Sequence, residues 1–210
     1  MLLSEEEAPT EAPIWPAFGD LMSCLFGLFV LFFVWAVAIQ VSLTKDLETE
    51  RATHASETAR LEALERALAG PLAEGRITLV DGRIGIRGSV LFGLNSAELK
   101  DEGRSLLHDL TLPLRTYLEQ RRELLMVSGF TDDLPVHVVA GGYRDNWELS
   151  AQRALTVTRA LEDNGLPREW IFAAGFGESH PIAPNTSPEN RARNRRVEIA
   201  PVPRASTGAP

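Results

Sequence analysis

A chain of 210 residues that is 44% hydrophobic has room for one ordinary globular domain and some extra segments. Its net charge of −8 argues against a nucleic-acid-binding domain, which would normally be basic. The single cysteine, Cys24, excludes an intrachain disulfide and a thiolate metal site, and His54, His108, His137 and His180 lack metal-ligand spacing, so no resident metal or cofactor is expected.

The first element is an apolar run, LMSCLFGLFVLFFVWAVAI over residues 21–39, without a charge. About 20 such residues cross a bilayer. A secretory signal peptide is the competing reading. It is disfavoured by the flanks: Glu5, Glu6, Glu7 and Glu11 stand where a basic region belongs, although Ala36-Val37-Ala38 comes close to a cleavage site. We therefore expect a tail over 1–16 and a retained transmembrane helix over 17–41, with Trp15 and Trp35 near the two interfaces.

Asp20 stands at the start of this run, in Pro16-Ala17-Phe18-Gly19-Asp20-Leu21-Met22-Ser23. A carboxylate there can simply sit among the headgroups. Alternatively it lies at membrane depth, where an ionisable group is expensive and usually marks an ion path. A medium of low dielectric favours the neutral form, so Asp20 would take up and release a proton. Gly19, Ser23 and Gly27 recur at every fourth position and would let other helices approach closely. One span cannot enclose an ion path, so the carboxylate implies partner helices. Lys45 and Arg51 follow the run and no Lys or Arg precedes it, a charge bias that places the C-terminal side in the cytoplasm.

Residues 42–70 have helix composition and read as a stalk. Leu47, His54, Leu61 and Leu68 keep a seven-residue period, but the companion positions Thr44, Arg51, Thr58 and Glu65 make a poor seam, compatible with a weakly paired dimer. Gly70-Pro71 is expected to end the helix.

Residues 71–200 read as the globular domain. RITLVDGRIGIR alternates around Asp81-Gly82, a hairpin signal. Residues 101–120 carry a helical stripe through Leu106, Leu107, Leu110, Leu114 and Leu118, with Pro113 as a break. A strand over 124–129, a helix over 150–164 stopped by Asn164-Gly165, and strands over 171–174 and 196–199 complete an α+β arrangement, one sheet with two main helices. Residues 201–210 are expected to form a disordered tail.

Five stretches then appear in a specific order: Phe92-Gly93-Leu94-Asn95-Ser96-Ala97-Glu98-Leu99, Gly129-Phe130-Thr131-Asp132, Leu149-Ser150-Ala151-Gln152-Arg153-Ala154, Gly175-Phe176-Gly177-Glu178-Ser179-His180-Pro181 and Asn194-Arg195-Arg196-Val197-Glu198-Ile199. Over about 120 residues they resemble the peptidoglycan-binding domain shared by OmpA-type outer-membrane proteins and stator B subunits. The resemblance implies that Asp132 accepts from the ammonium of a diaminopimelate side chain and that Arg153 pairs with its carboxylate. It places Thr131, Asn95 and Asn146 at the peptide, with Leu149 packed beside it. A structural ion pair between Asp132 and Arg153 is the alternative. Arg195 and Arg196 read as structural, with contact to the ligand as the alternative. Residues 133–144 are longer than in common family members and include Gly141-Gly142-Tyr143, and Asp145 stands where a tyrosine is common.

The N-terminal motif Ala17-Phe18-Gly19-Asp20-Leu21-Met22, followed by Phe29-Val30-Leu31-Phe32-Phe33, resembles the span of MotB-like, ion-driven stator B subunits. That resemblance implies that Asp20 carries the coupled H⁺ or Na⁺. It also implies a dimer of this chain inside a pentamer of polytopic MotA-like A subunits, with the tail over 1–16 in the cytoplasm and the domain in the periplasm, against the charge bias. Within that family the chain resembles the B subunit of the Zorya anti-phage system, with a flagellar stator subunit or a passive membrane-to-wall anchor as alternatives. Without a Gly-x-Ser-x-Gly, a zinc spacing or a phosphate loop, no enzyme is expected.

Overall fold

The structure, a computed structural model, describes residues 14–93, 95–121, 123–136 and 142–204. The expected tail over 1–16 therefore lies outside the described residues up to residue 13, as do residues 137–141 of the long segment and the last six residues of the chain. Two compact units divide at Glu57 and Thr58.

Helix α1 covers Ile14–Ala67. In the first unit its described side chains are exposed on every side, including Phe29, Leu31, Phe32 and Trp35. Its most apolar 18-residue window has a mean hydropathy of 2.5, long and apolar enough to cross a membrane. A helix that is apolar all round has no wet face to turn to water and needs lipid or protein around it.

The second unit begins inside α1. Leu64 and Leu68 are fully buried in its core, and Arg60 pairs with Glu123 at 3.0 Å and donates to Pro201 O at 2.6 Å. The last turns of the expected stalk thus belong to the domain, because their leucines find an apolar partner there that a poor heptad seam could not supply. Gly70-Pro71 does not end this helix either. It ends at Ala67, and Gly70-Pro71 falls in the first turn of a short helix α2, Ala69–Ala73, where a missing N–H is tolerated.

Strands β1, Thr78–Val80, and β2, Arg83–Arg87, form the expected hairpin. Asp81 at φ 50° and Gly82 at φ 72° make its two-residue turn. A short helix α3, Gly88–Leu91, leads to α4, Asp101–Arg121. Pro113 does not break α4. Leu106, Leu107 and Leu110 before it and Leu114, Tyr117 and Leu118 after it all bury, and their burial outweighs the ~3 kcal/mol that an interior proline costs.

Strand β3, Glu123–Phe130, is followed by α5, Asn146–Asp163, and β4, Ile171–Gly175. Helix α5 starts a turn earlier than its apolar pattern suggests because Asp145 caps it, accepting from Glu148 N at 2.8 Å. Gly165, at φ 104°, follows its C-terminus. After helix α6, Pro188–Asn194, strand β5 runs Arg196–Pro203. The sheet order is β1-β2-β5-β3-β4, with β3 and β4 parallel and the other neighbours antiparallel.

Residues 201–203 are thus not tail. Pro201 and Pro203 pair with Leu125 and Glu123 of β3. They lie past Ile199, where pairing with β2 stops at Ile84, so no neighbour on that side asks for their missing N–H. Helices α4 and α5 pack together and against β3, and the core between them holds Leu107, Leu110, Leu125, Val127, Val157 and Ile199.

Candidate functional site

Strand β3 ends at Phe130, and the chain leaves the sheet through Thr131 and Asp132. Gly129 is required here: a β-carbon on it would collide with the carbonyl of Ser150 on α5. Ser150 in turn accepts from Gly177 N at 2.9 Å, and Gly177 O accepts from Thr131 N at 2.9 Å. The small residues of Gly129-Phe130-Thr131-Asp132 and Leu149-Ser150 therefore lock the end of β3, the start of α5 and the turn after β4 together.

Beside this junction opens a cavity of about 440 Å³. Asn95, Thr131, Asp132, Asn146, Leu149 and Arg153 all line it, so every residue expected at a peptide site meets around one space. Phe92, Lys100, Leu134 and Arg195 share the wall. Asp20 belongs to the other unit, on an exposed turn of α1, where Ser23 Oγ donates to Gly19 O at 2.8 Å.

Arg153 is 5% exposed, and its Nε donates to Ser96 O at 2.9 Å. Its guanidinium lies 5.3 Å from the centre of the Phe92 ring, within cation–π range. Among the described residues no carboxylate forms an ion pair with it. Burial pushes its pKa down to about 10, with Tyr143 and Asp132 acting upward and Arg195 downward. At neutral pH it is a cation with its ordinary solvation stripped away, which is the state a planar carboxylate relieves best.

Asp132 is 6% exposed and does not pair with Arg153. Its Oδ2 lies 2.5 Å from Arg195 Nη1, and its Oδ1 accepts from Leu134 N at 3.4 Å. The ion pair considered for Asp132 and Arg153 is thus made with Arg195, which reaches the wall of the cavity from the end of α6. The sequence motif contained this residue but could not say which of two adjacent arginines turns to the cavity. Arg196 enters β5, binds Glu198 two residues on at 2.6 Å, and lies 3.8 Å above the Phe130 ring. Lys100, absent from the expected set, donates to Ser89 O at 2.8 Å and adds a further positive charge.

Asn146 uses its side-chain NH₂ on Asp132 O at 3.3 Å and Leu134 O at 3.0 Å, so it shapes the cavity's rim from within. Thr131 Oγ1 is buried without a hydrogen-bond partner, and Thr131 lines the same cavity. A buried hydroxyl left unmatched is a group that a ligand can satisfy. Chemically the site offers a buried cation, a carboxylate already fixed in position and an unmatched hydroxyl. Among the described residues it contains no nucleophile–base pair.

Residues 91–195 match the model of the OmpA family. Motility protein B of Helicobacter pylori is 26% identical over 94% of this chain and 90% of its own length. A putative MotB-like protein from Desulfovibrio vulgaris, of known structure, is 32% identical over 74% of this chain and 99% of that one, with a TM-score of 0.62. The cell wall anchor of the type VI secretion system from Pseudomonas aeruginosa is 34% identical over 65% of this chain and 94% of that one, with a TM-score of 0.56. Other curated relatives are spanned in part: the chain covers 47% of the probable lipoprotein YiaD of Escherichia coli. With half of its length matched by the family model and a MotB-like structure reproduced almost end to end, the chain belongs to the OmpA family, as a member similar to MotB.

Proposed function

We propose that this chain is the peptidoglycan-anchored B subunit of an ion-driven motor in the bacterial inner membrane. The observation that carries the reading is the pairing, in one chain, of an acid in a helix fit to cross a membrane with a cavity holding an uncompensated buried arginine. Relatives named for motility and for anchoring to the cell wall support it.

In this reading the apolar helix spans the membrane with the N-terminus in the cytoplasm and the domain in the periplasm. The cavity grips a wall stem peptide: Arg153 takes the carboxylate of the diaminopimelate, Asp132 its ammonium, and Thr131, Asn95, Asn146 and Leu149 the peptide around them. Asp20 alternates between charged and neutral as H⁺, or Na⁺, passes between it and a pentamer of MotA-like subunits surrounding two copies of this chain. One charge moved across 100 mV supplies ~2.3 kcal/mol, so a few ions per step suffice to turn a ring. Neither role is enzymatic. The unbroken run of α1 after the apolar segment, where flagellar subunits carry a plug, favours the Zorya anti-phage version over a flagellar stator. Helicase or nuclease genes beside this one would support that assignment, and flagellar genes would overturn it.

A second reading, a passive tether that would need only the cavity, is favoured by the similarity to the cell wall anchor. Asp20→Asn separates the two. The motor reading expects loss of defence or motility with co-purification of the partner subunit intact. Full activity in that variant leaves the tether.

A further inference from the structure

Trp147 is 53% exposed, an unusual place for the largest side chain of a folded domain. It sits in the first turn of α5, directly after Asn146, which lines the cavity. A β-carbon at Gly177 would lie 3.5–3.6 Å from Trp147 Cγ, Cδ1 and Cδ2, three adjoining ring atoms at nearly one distance, so one face of the ring is turned toward Gly177. Gly177 has φ 55°, and it is pinned on both sides: its N donates to Ser150 Oγ and its O accepts from Thr131 N, each at 2.9 Å. One face of the indole is therefore turned toward this hydrogen-bonded turn, and about half of the residue is open to water. Thr131, which pins that turn, also lines the cavity.

A half-exposed indole binds flat ligands that carry weakly positive C–H groups on one face, because its π surface is negative and large. A pyranose ring has that face. Peptidoglycan places one within reach of any bound stem peptide, since each stem is attached to a sugar of the glycan strand. We propose that Trp147 is a saccharide platform beside the peptide cavity, so that the domain reads a sugar and a stem together. This rests on the wall-binding reading above.

Isothermal calorimetry with the full chain in detergent tests it with two probes, the diaminopimelate-containing tripeptide stem and the same stem carrying its N-acetylglucosaminyl–N-acetylmuramyl disaccharide. The wild type should bind the disaccharide-peptide about five- to tenfold more tightly than the stem, the size of one stacking contact. Trp147→Ala should abolish that difference while leaving stem affinity within about twofold, which also reports that the cavity is still folded; Trp147→Phe should keep part of it. Equal affinity of the wild type for both probes, or an equal loss on both in Trp147→Ala, overturns the platform. An Arg153→Ala variant run alongside isolates the other failure: if it binds the stem like wild type, the peptide cavity itself is misassigned and the platform falls with it.

Discussion

Arg195 Nη1 lies 2.5 Å from Asp132 Oδ2, and this contact leaves Arg153 without a carboxylate partner among the described residues. The Asp132 side chain is 8% exposed and that of Arg195 34%. Arg195→Ala should destabilise the domain by about 1–2 kcal/mol, less than a fully buried pair because Arg195 is partly solvated. The double variant Asp132→Ala, Arg195→Ala should be more stable than Arg195→Ala alone, since it removes the stranded carboxylate. Thermal unfolding of the three proteins checks the order, and a double variant that is the least stable of them contradicts the pairing.

Arg153 carries an unfavourable burial that a ligand carboxylate would relieve. Arg153→Met should leave stability within about 1 kcal/mol of wild type, because a buried charge is exchanged for a similar apolar volume. Binding to purified peptidoglycan should fall by at least about 30-fold. Retained pull-down would remove Arg153 from the site.

The same residue sets a pH signature. Its pKa is depressed to about 10 by burial. Between that value and its ordinary one the native state holds fewer protons than the unfolded state, so its contribution to stability rises with pH in that window. Carboxylate binding runs the other way: it needs the protonated guanidinium. Affinity for an N-acetylated stem, whose own ammonium is blocked, should be flat from neutral pH up to about 9 and weaken as pH passes about 10. A decline beginning near neutrality would point to a different cation.

Asn194 is fully buried and staples the segment before α6, accepting from Ile182 N at 2.9 Å and Ala183 N at 3.0 Å while donating to Ala183 O at 2.8 Å and Asn185 Oδ1 at 2.7 Å. Asn194→Ala strands three backbone groups and should cost about 3 kcal/mol. Asn194→Asp should fare no better, because a carboxylate oxygen would then face Ala183 O. Chemical denaturation measures both, and a loss below about 1 kcal/mol would show that the segment is held by other contacts.

Gly129→Ala is the most direct check on the junction that shapes the site. The added carbon meets backbone, which cannot rotate away, so destabilisation of about 3 kcal/mol is expected along with weaker wall binding. A stable, fully binding variant would mean that α5 does not sit this close to β3.

Much of the arrangement was legible in the residues. Alternation around Asp81-Gly82 marked the hairpin, and the leucine stripe marked α4, because period and turn chemistry are local. The six cavity residues were legible through the motif resemblance. Arg195 was not, since the turn that separates it from Arg196 depends on where β5 begins. The continuity of α4 through Pro113, the pairing of Pro201 and Pro203, and the burial of Leu64 and Leu68 were also hidden. Each is decided by a neighbour distant in sequence: the core leucines across α4, the early end of β2 beside β5, and the domain interior beneath the end of α1.

That last feature has a mechanical meaning. Arg60 joins Glu123, the first residue of β3, and Pro201, near the end of β5, and those two strands are paired over eight positions. Tension arriving along the backbone at Thr58 is thus handed to the two longest strands of the sheet and to leucines sealed beneath them. A tie built this way resists as a unit, because the ion pair, the strand pairing and the buried leucines must give way together.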